Sequence, residues 1–251
     1  MLEEDKAYFL GCSGYFYWSW KGRFYPESLK PKEWLGYYAR FFNTVEINST
    51  FYNFPKKGNL RRFYRETPPG FIFSVKANRS ITHMKKLKGT EELLREFYSV
   101  VREALKEKLG CILFQLPPSL HYSEKTLDRI LSQLDGDFKN VLEFRHESWW
   151  REEVFSRLRK SGVAFCSVSS PKLPERLVET ADFLYVRFHG KEGWYRYNYS
   201  DEELREWAER LKGVSSGEVY AYFNNDFNAY APNNCLRLME FLGVKPYRGV
   251  S

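Results

Sequence analysis

The stretch Phe183-Leu184-Tyr185-Val186-Arg187-Phe188-His189-Gly190 decides how the rest of the chain is read. Its aromatic and branched residues and its strict alternation mark a strand, in which successive side chains point to opposite faces. Leu184, Val186 and Phe188 form an apolar face, while Tyr185, Arg187 and His189 form a polar one. Seven further β-rich runs lie around it: Tyr8–Ser13, Thr44–Asn48, Phe71–Lys76, Cys111–Leu116, Val141–Arg145, Val163–Ser169 and Val219–Asp226. Helix-like segments separate most of them, at Pro31–Phe41, Asn59–Glu66, Glu91–Lys108, Ser123–Leu134, Trp150–Lys160, Ser200–Lys212 and Asn233–Leu242. Ser123 and Ser200 act as start signals, the second with Asp201, Glu202 and Glu203 in the first turn. Eight strand–helix alternations predict an α/β fold, a single (β/α)8 TIM-type barrel domain over residues 1–251. The unit after the sixth strand is defective, because Pro171 to Ala181 holds two prolines and leaves room for only a reduced helix. A doubly wound open sheet is the alternative.

Connection lengths favour the barrel. Helix-to-strand links are short, as at Phe42-Asn43, Thr67–Gly70 and Ser161-Gly162. Strand-to-helix links are long, as at Gly14–Lys30, Ser49–Gly58, Ala77–Thr90 and Gly190–Tyr199. In a barrel these long loops gather at the C-terminal face, where sites are built.

Strand parity points to the same face. In the second strand the aliphatics Val45 and Ile47 face helices, which sends Glu46 and Asn48 inward. The same count turns Ser74 and Lys76, Glu143 and Arg145, and Tyr222, Asn224 and Asp226 inward, with Ser13, Gln115, Ser167 and Ser169 joining them. Every strand thus presents a polar residue toward its C-terminal end, where a packed interior would favour branched aliphatics.

Composition bounds the partners. A chain of 251 residues with 43% hydrophobic content can bury a core without a disulfide or metal staple. Its 28% charged and 18% aromatic residues exclude a disordered tail. A net charge of +7 permits an anionic partner without requiring one. The acidic start Met1-Leu2-Glu3-Glu4-Asp5-Lys6 shows no signal peptide, and no apolar run approaches a membrane span, so no membrane association is expected. Cys12, Cys111, Cys166 and Cys235 form no C-x-x-C pair and read as small buried hydrophobes of a cytoplasmic protein.

Several segments carry a resemblance. They are Gly11-Cys-Ser-Gly14, Phe24-Tyr25-Pro26, Thr44-Val-Glu-Ile-Asn-Ser-Thr-Phe-Tyr52, Val75-Lys76 and Thr82-His83. To these are added Gln115-Leu-Pro-Pro118, Glu143-Phe-Arg-His-Glu-Ser-Trp149, Val186-Arg-Phe-His-Gly190 and Tyr222-Phe-Asn-Asn-Asp226. Together, from about Tyr8 to Leu242, they resemble the YecE-like proteins, domain of unknown function family 72. The resemblance implies a TIM-type barrel of unassigned biochemistry. One departure bears on loop shape: after Asp226 the family runs through glycine and alanine, whereas this chain reads Phe227-Asn228-Ala229-Tyr230-Ala231.

The inward ring holds Glu46, Glu143 and Asp226 against Lys76, Arg145 and Arg187. The bland reading is an internally neutral ion-pair network. Against it, buried ion pairs are a weak route to stability. A balanced ring beside a histidine suits acid–base chemistry, because neighbours push pKa values apart. Glu46, Lys76, Glu143 and His189 are therefore the candidate catalytic residues. Lys76 is a potential amine nucleophile or a charged structural partner, and His189 a proton shuttle. Arg145 and Arg187 are read as a clamp for a carboxylate or phosphate, with Ser13, Asn48, Gln115, Asn224 and Asp226 lining the substrate.

No cofactor is expected, since Gly11-Cys-Ser-Gly14 is neither a dinucleotide fingerprint nor a P-loop. Glu143, His189 and Asp226 are conceivable ligands for a divalent metal, but three cations in the same ring oppose it. His83 and His146 read as hydrogen-bonding loop residues and His121 as an exposed turn residue. The segment Tyr15–Tyr25 interleaves aromatics with Lys21 and Arg23, either as a lid over the barrel mouth or as a stacking surface for bases or sugars. Lys85-Lys86-Leu87-Lys88 adds a basic patch. The leading expectation is an enzyme acting on a small anionic or carbonyl-bearing ligand; the alternative is a nucleic-acid binding or processing module.

Overall fold

The computed structural model describes residues 6–246. The Met1–Asp5 part of the acidic start lies outside them. Eight parallel strands, β1 (Ala7–Cys12), β2 (Thr44–Ile47), β3 (Ile72–Lys76), β4 (Leu109–Gln115), β5 (Lys139–Glu143), β6 (Ala164–Ser169), β7 (Phe183–Phe188) and β8 (Glu218–Phe223), pair in the order β1-β8-β7-β6-β5-β4-β3-β2. They form a nearly closed barrel. Around it run α1 (Trp34–Tyr38), α2 (Ser49–Tyr52), α3 (Lys57–Glu66), α4 (Glu91–Leu105), α5 (Glu124–Leu131), α6 (Glu152–Lys160), α7 (Asp201–Lys212) and α8 (Tyr230–Leu242). Ser200 caps α7 in a reciprocal box with Glu203, and Ser123 caps α5 through the Thr126 amide.

The seam between β1 and β2 has a single backbone bridge, Ser13 to Glu46. Side chains close the rest. Asn43 accepts from the Leu10 amide and donates to the Tyr8 carbonyl, while the Tyr38 hydroxyl accepts from the Cys12 amide at 2.7 Å and donates to the Thr44 carbonyl at 3.0 Å. The strands approach so closely that a Cβ on Gly11 would lie 2.2 Å from the Thr44 carbonyl oxygen. The helix expected over Pro31–Phe41 is correspondingly short, since its C-terminal end is given over to this seam.

The unit after β6 carries no helix, and this overturns the parity expected for that strand. The barrel interior is lined at β6 by Ala164, Cys166 and Val168, packed with Leu113, Val141 and Tyr185. Ser167 and Ser169 face outward instead. Side chains tie the irregular segment 170–182 to the strand: Ser167 accepts from the Val178 amide, and the Thr180 hydroxyl accepts from the Phe165 amide and donates to the Val163 carbonyl. The polar residues of β6 serve the missing helix rather than the interior. Within the other strands the expected parity holds, and Glu46, Ser74, Glu143, Tyr185, Arg187 and Tyr222 are buried; Asn48 and Asp226, expected inward, lie beyond the ends of β2 and β8, where the alternation no longer applies. All four cysteines are buried and free. Among the described residues no helix is long and apolar enough to cross a membrane.

Candidate active site at the C-terminal barrel mouth

Arg187, on β7, is the centre of the floor. One terminal nitrogen donates to Glu143 Oε2 at 2.7 Å, the other to Glu46 Oε1 at 2.6 Å and Ser13 Oγ at 3.3 Å. The other oxygen of Glu46 accepts from the Tyr185 hydroxyl at 2.7 Å. Tyr222, beneath, shares its hydroxyl with Thr44 and Ser74. Burial works against the Arg187 cation, but Glu143 and Glu46 hold its pKa well above the ordinary value. With 1% exposure it is engaged on both sides by the protein, so it is a floor element rather than a free anion clamp.

Glu143 is shared three ways. Its Oε1 lies 3.0 Å from His189 Nε2 and 2.5 Å from Arg145 Nε, the latter an ion contact without hydrogen-bond geometry. Burial raises its pKa, but Arg145, Arg187 and His189 outweigh burial and hold the carboxyl well below its usual range. His189 is fully buried, and burial with the Arg145 cation lowers its pKa to about 3. Nε2 also faces Arg145 Nη2 at 3.2 Å; a neutral ring that donates Nε2–H to Glu143 and accepts at Nδ1 from the Asn224 amide at 3.1 Å satisfies the Glu143 and Asn224 contacts and leaves the Arg145 approach without a shared proton. Trp194 covers this corner, 4.8 Å from the Arg145 guanidinium and 5.4 Å from the His189 ring.

Lys76, at the end of β3, differs from every other charged member of the ring. Among the described residues its ammonium makes no hydrogen bond or ion pair; it lies 4.2 Å from the centre of the Phe51 ring. Burial and the Arg187 cation lower its pKa to about 7, with Glu143 and Glu46 opposing. His83 stands beside it, edge-on to Phe51, with Nδ1 3.0 Å from Thr82 Oγ1 and Nε2 3.5 Å from Gln115. Burial and Lys76 lower the His83 pKa to about 4. His83 and Phe51 are site residues that strand parity could not find, because they sit on a one-turn π-helix (Ser80–Met84) and on α2. Their signal was their place beside Lys76 in the recurring motifs.

Ser13, Glu46, Glu143, Arg145, Arg187, His189 and Asn224 thus form one connected cluster, with Lys76 and Gln115 at its edge. Two others lie apart. Asp226 is beyond the end of β8; burial raises its pKa against a hydrogen bond from its own backbone amide, and its carbonyl accepts from Trp20 Nε1. Asn48 ends β2 with an enclosed, unpaired Oδ1 on a cavity of about 570 Å³ shared with Tyr15, Phe16 and Phe63. The loop after Asp226 solves its departure from the glycine pattern by placing Asn228 and Ala229 at φ of 53° and 61°. The aromatic segment after β1 divides: Trp20, Phe24 and Tyr25 pack beside α1, with Tyr25 stacked on Trp34, whereas Phe16 and Trp18 are exposed. No group of three or more potential metal ligands occurs among the described residues. His121 is exposed and stacks on His146, whose Nδ1 accepts from the Ser148 amide.

Comparison with known proteins agrees on the fold. A DUF72 family protein from Thermotoga maritima MSB8 superposes with a TM-score of 0.86 at 34% identity, over 94% of this chain and 99% of that one. One from Enterococcus faecalis V583, at 20% identity, shares the fold with a TM-score of 0.82 over 95% of this chain and 96% of its own. The UPF0759 protein YunF of Bacillus subtilis (strain 168) is 26% identical over 277 aligned positions, covering 97% of each chain. The UPF0759 protein YecE of Escherichia coli (strain K12) is 28% identical over 232, covering 82% of this chain and 84% of its own. The family profile described as Protein of unknown function DUF72 matches residues 9–249, and the chain belongs to that family.

Proposed function

We propose that this protein is an enzyme that binds a small anionic, carbonyl-bearing substrate at the C-terminal mouth and uses Lys76 for proton transfer or amine addition. The observation that carries this reading is the distribution of spent and unspent groups. Both carboxylates on the floor are committed to Arg187, Tyr185, Arg145 and His189. The charge left over toward the mouth is cationic: Lys76 is unpaired, and Arg145, although in contact with Glu143, reaches the surface with 11% of its side chain exposed. An anion completes that balance. With a pKa of about 7, Lys76 is present as both amine and ammonium at neutral pH, the condition for general acid–base work or for attack on a carbonyl. His189 is walled in beneath Trp194 and stays neutral, so it orients Glu143; His83 is the more accessible imidazole.

Thermal shift with phosphate, citrate and sugar phosphates tests the reading. Stabilisation that grows with ligand concentration and is lost in both Lys76→Met and Arg145→Gln is expected. No shift at millimolar concentrations of any of them removes the small-anion substrate. Borohydride trapping over a panel of aldehydes, keto acids and sugar phosphates, read by intact mass, separates the two uses of the amine. An adduct absent in Lys76→Met establishes Schiff-base formation at Lys76, and the lack of any adduct removes the amine-addition reading.

A further inference from the structure

Six large apolar side chains are exposed among the described residues: Phe16, Trp18, Tyr52, Met84, Tyr195 and Phe227. All six lie on strand-to-helix segments, after β1, β2, β3, β7 and β8, and hence on the face that carries the mouth. Random scatter of surface hydrophobics does not respect one face. Three are coupled to the cations of the site. Tyr52 packs on Phe51, the ring under Lys76; Tyr195 packs on Trp194, the ring over Arg145; Arg196 lies 5.3 Å from the centre of Phe227.

The charge is on the same face. The first five strand-to-helix segments, residues 13–33, 48–56, 77–90, 116–123 and 144–151, carry eleven Lys and Arg against three Asp and Glu. The segments after β6, β7 and β8, residues 170–182, 189–200 and 224–229, carry four Lys and Arg against five Asp and Glu, so the eight strand-to-helix segments together account for the +7 of the whole chain and the rest contributes no net charge. Segment 77–90 alone holds Arg79, Lys85, Lys86 and Lys88 and no acid. Between the first two segments opens the cavity of about 570 Å³, walled by Tyr15, Phe16 and Phe63, rimmed by Arg62, and holding the unpaired acceptor of Asn48.

From this arrangement we infer that the C-terminal face binds single-stranded nucleic acid, with exposed aromatics stacking bases, loop cations tracking phosphates, and one base entering the Tyr15–Phe63 cavity. Isolated rings set between cations on separate loops suit successive bases along a strand. A lipid surface or an apolar protein partner is met by a contiguous apolar patch, which separate loops do not supply. The aromatic walls and the unpaired Asn48 acceptor of the cavity suit a planar ring bearing an exocyclic amine. This inference rests on the mouth being an anion site, and it makes the substrate anion a phosphate carried on a polynucleotide.

Fluorescence anisotropy with a labelled oligo-dC of about 20 nucleotides, whose bases carry the exocyclic amine, at several salt concentrations, tests it. Binding is expected to weaken steeply with salt. The surface variant Lys85→Ala/Lys86→Ala/Lys88→Ala should reduce the salt slope by about 2, since each phosphate contact on a single strand contributes about 0.7. Phe16→Ala/Trp18→Ala should weaken binding at least about ten-fold at fixed salt, leaving the slope unchanged. Absence of binding at about 50 mM salt overturns the inference. So does binding that ignores the aromatic pair, or equal binding of a duplex of the same length. Vesicles of anionic lipid bound in place of the oligonucleotide overturn it too. Orthophosphate stabilisation through Lys76 and Arg145 with no oligonucleotide binding leaves the small-anion enzyme standing and removes the strand. Oligonucleotide binding with no orthophosphate effect does the reverse.

Discussion

The two ends of this barrel handle charge in opposite ways. At the N-terminal end the interior is closed by Phe9 stacked on Tyr220 at 4.6 Å, with Ile72, Cys111 and Phe183 beside them. The ion pair there, Lys139 with Glu218, is more than a third exposed on both partners and is supported by the Tyr220 hydroxyl. At the C-terminal end Glu46, Glu143 and Arg187 are at most 1% exposed. The lower end shows that this barrel closes with aromatic packing and needs no buried ion. A buried ion pair seldom exceeds well-packed apolar residues of the same volume in stability. The upper charges therefore need a reason other than stability, and the unpaired Lys76 beside them supplies one.

The largest break in the comparison should come from Arg187→Met, which leaves two buried carboxylates without their shared cation. A loss of about 3–5 kcal/mol is expected, roughly 10 °C in Tm for a chain of this size, read by urea or thermal unfolding. Adding Glu46→Gln and Glu143→Gln to Arg187→Met should recover most of it. A single variant that unfolds like the parent shows that solvent reaches this cluster and that the two ends do not differ.

Acid should then act on the upper end in two stages. His189 has a folded pKa of about 3 against 6.5, so below pH 6.5 the unfolded chain takes up a proton the folded chain refuses, and stability falls toward pH 3. Glu143 is held below 4.5, so its contribution is present above that value and is lost as pH drops through the folded pKa. Urea unfolding across pH should therefore show the limb between pH 6.5 and 4.5 made shallower by His189→Gln, with His83, held at about 4, carrying the rest of it, while the lower limb persists. An unchanged upper limb would mean that His189 carries its proton in the fold.

Lys76 offers a narrower measurement. Its unfolded pKa of 10.5 exceeds the folded value of about 7, so the unfolded chain binds more protons across that window and stability should rise with pH through it. Carbon-13 dimethyl-lysine NMR should place one resonance with a midpoint near 7, absent in Lys76→Met. A midpoint above 9 would give Lys76 the status of an ordinary surface cation. Smallest of all, Glu218→Gln at the lower end should cost less than about 1 kcal/mol, as half-exposed pairs do.

The alternation in Phe183–His189 and its counterparts was enough to place seven of the eight strands' inward residues, because a period of two is enforced by burial on both faces. The same rule misread β6, where Ser167 accepts from the Val178 amide and Ser169 donates to the Glu175 carboxylate of a segment with no helix of its own. Sequence patterning therefore determined the barrel, the polar ring at its C-terminal end and the identity of the charges in that ring. Which of those charges are spent was decided by the tertiary structure. Glu46 and Arg187 are 141 residues apart in the chain and 2.6 Å apart in the barrel, and no local pattern encodes that choice of partner. Nor does local pattern encode the placement of His83, Phe51 and Trp194, whose loops take their shape from the elements they cross. Periodicity reports which side of a strand a residue occupies; only the closed barrel brings eight strand ends together and leaves Lys76 without an anion.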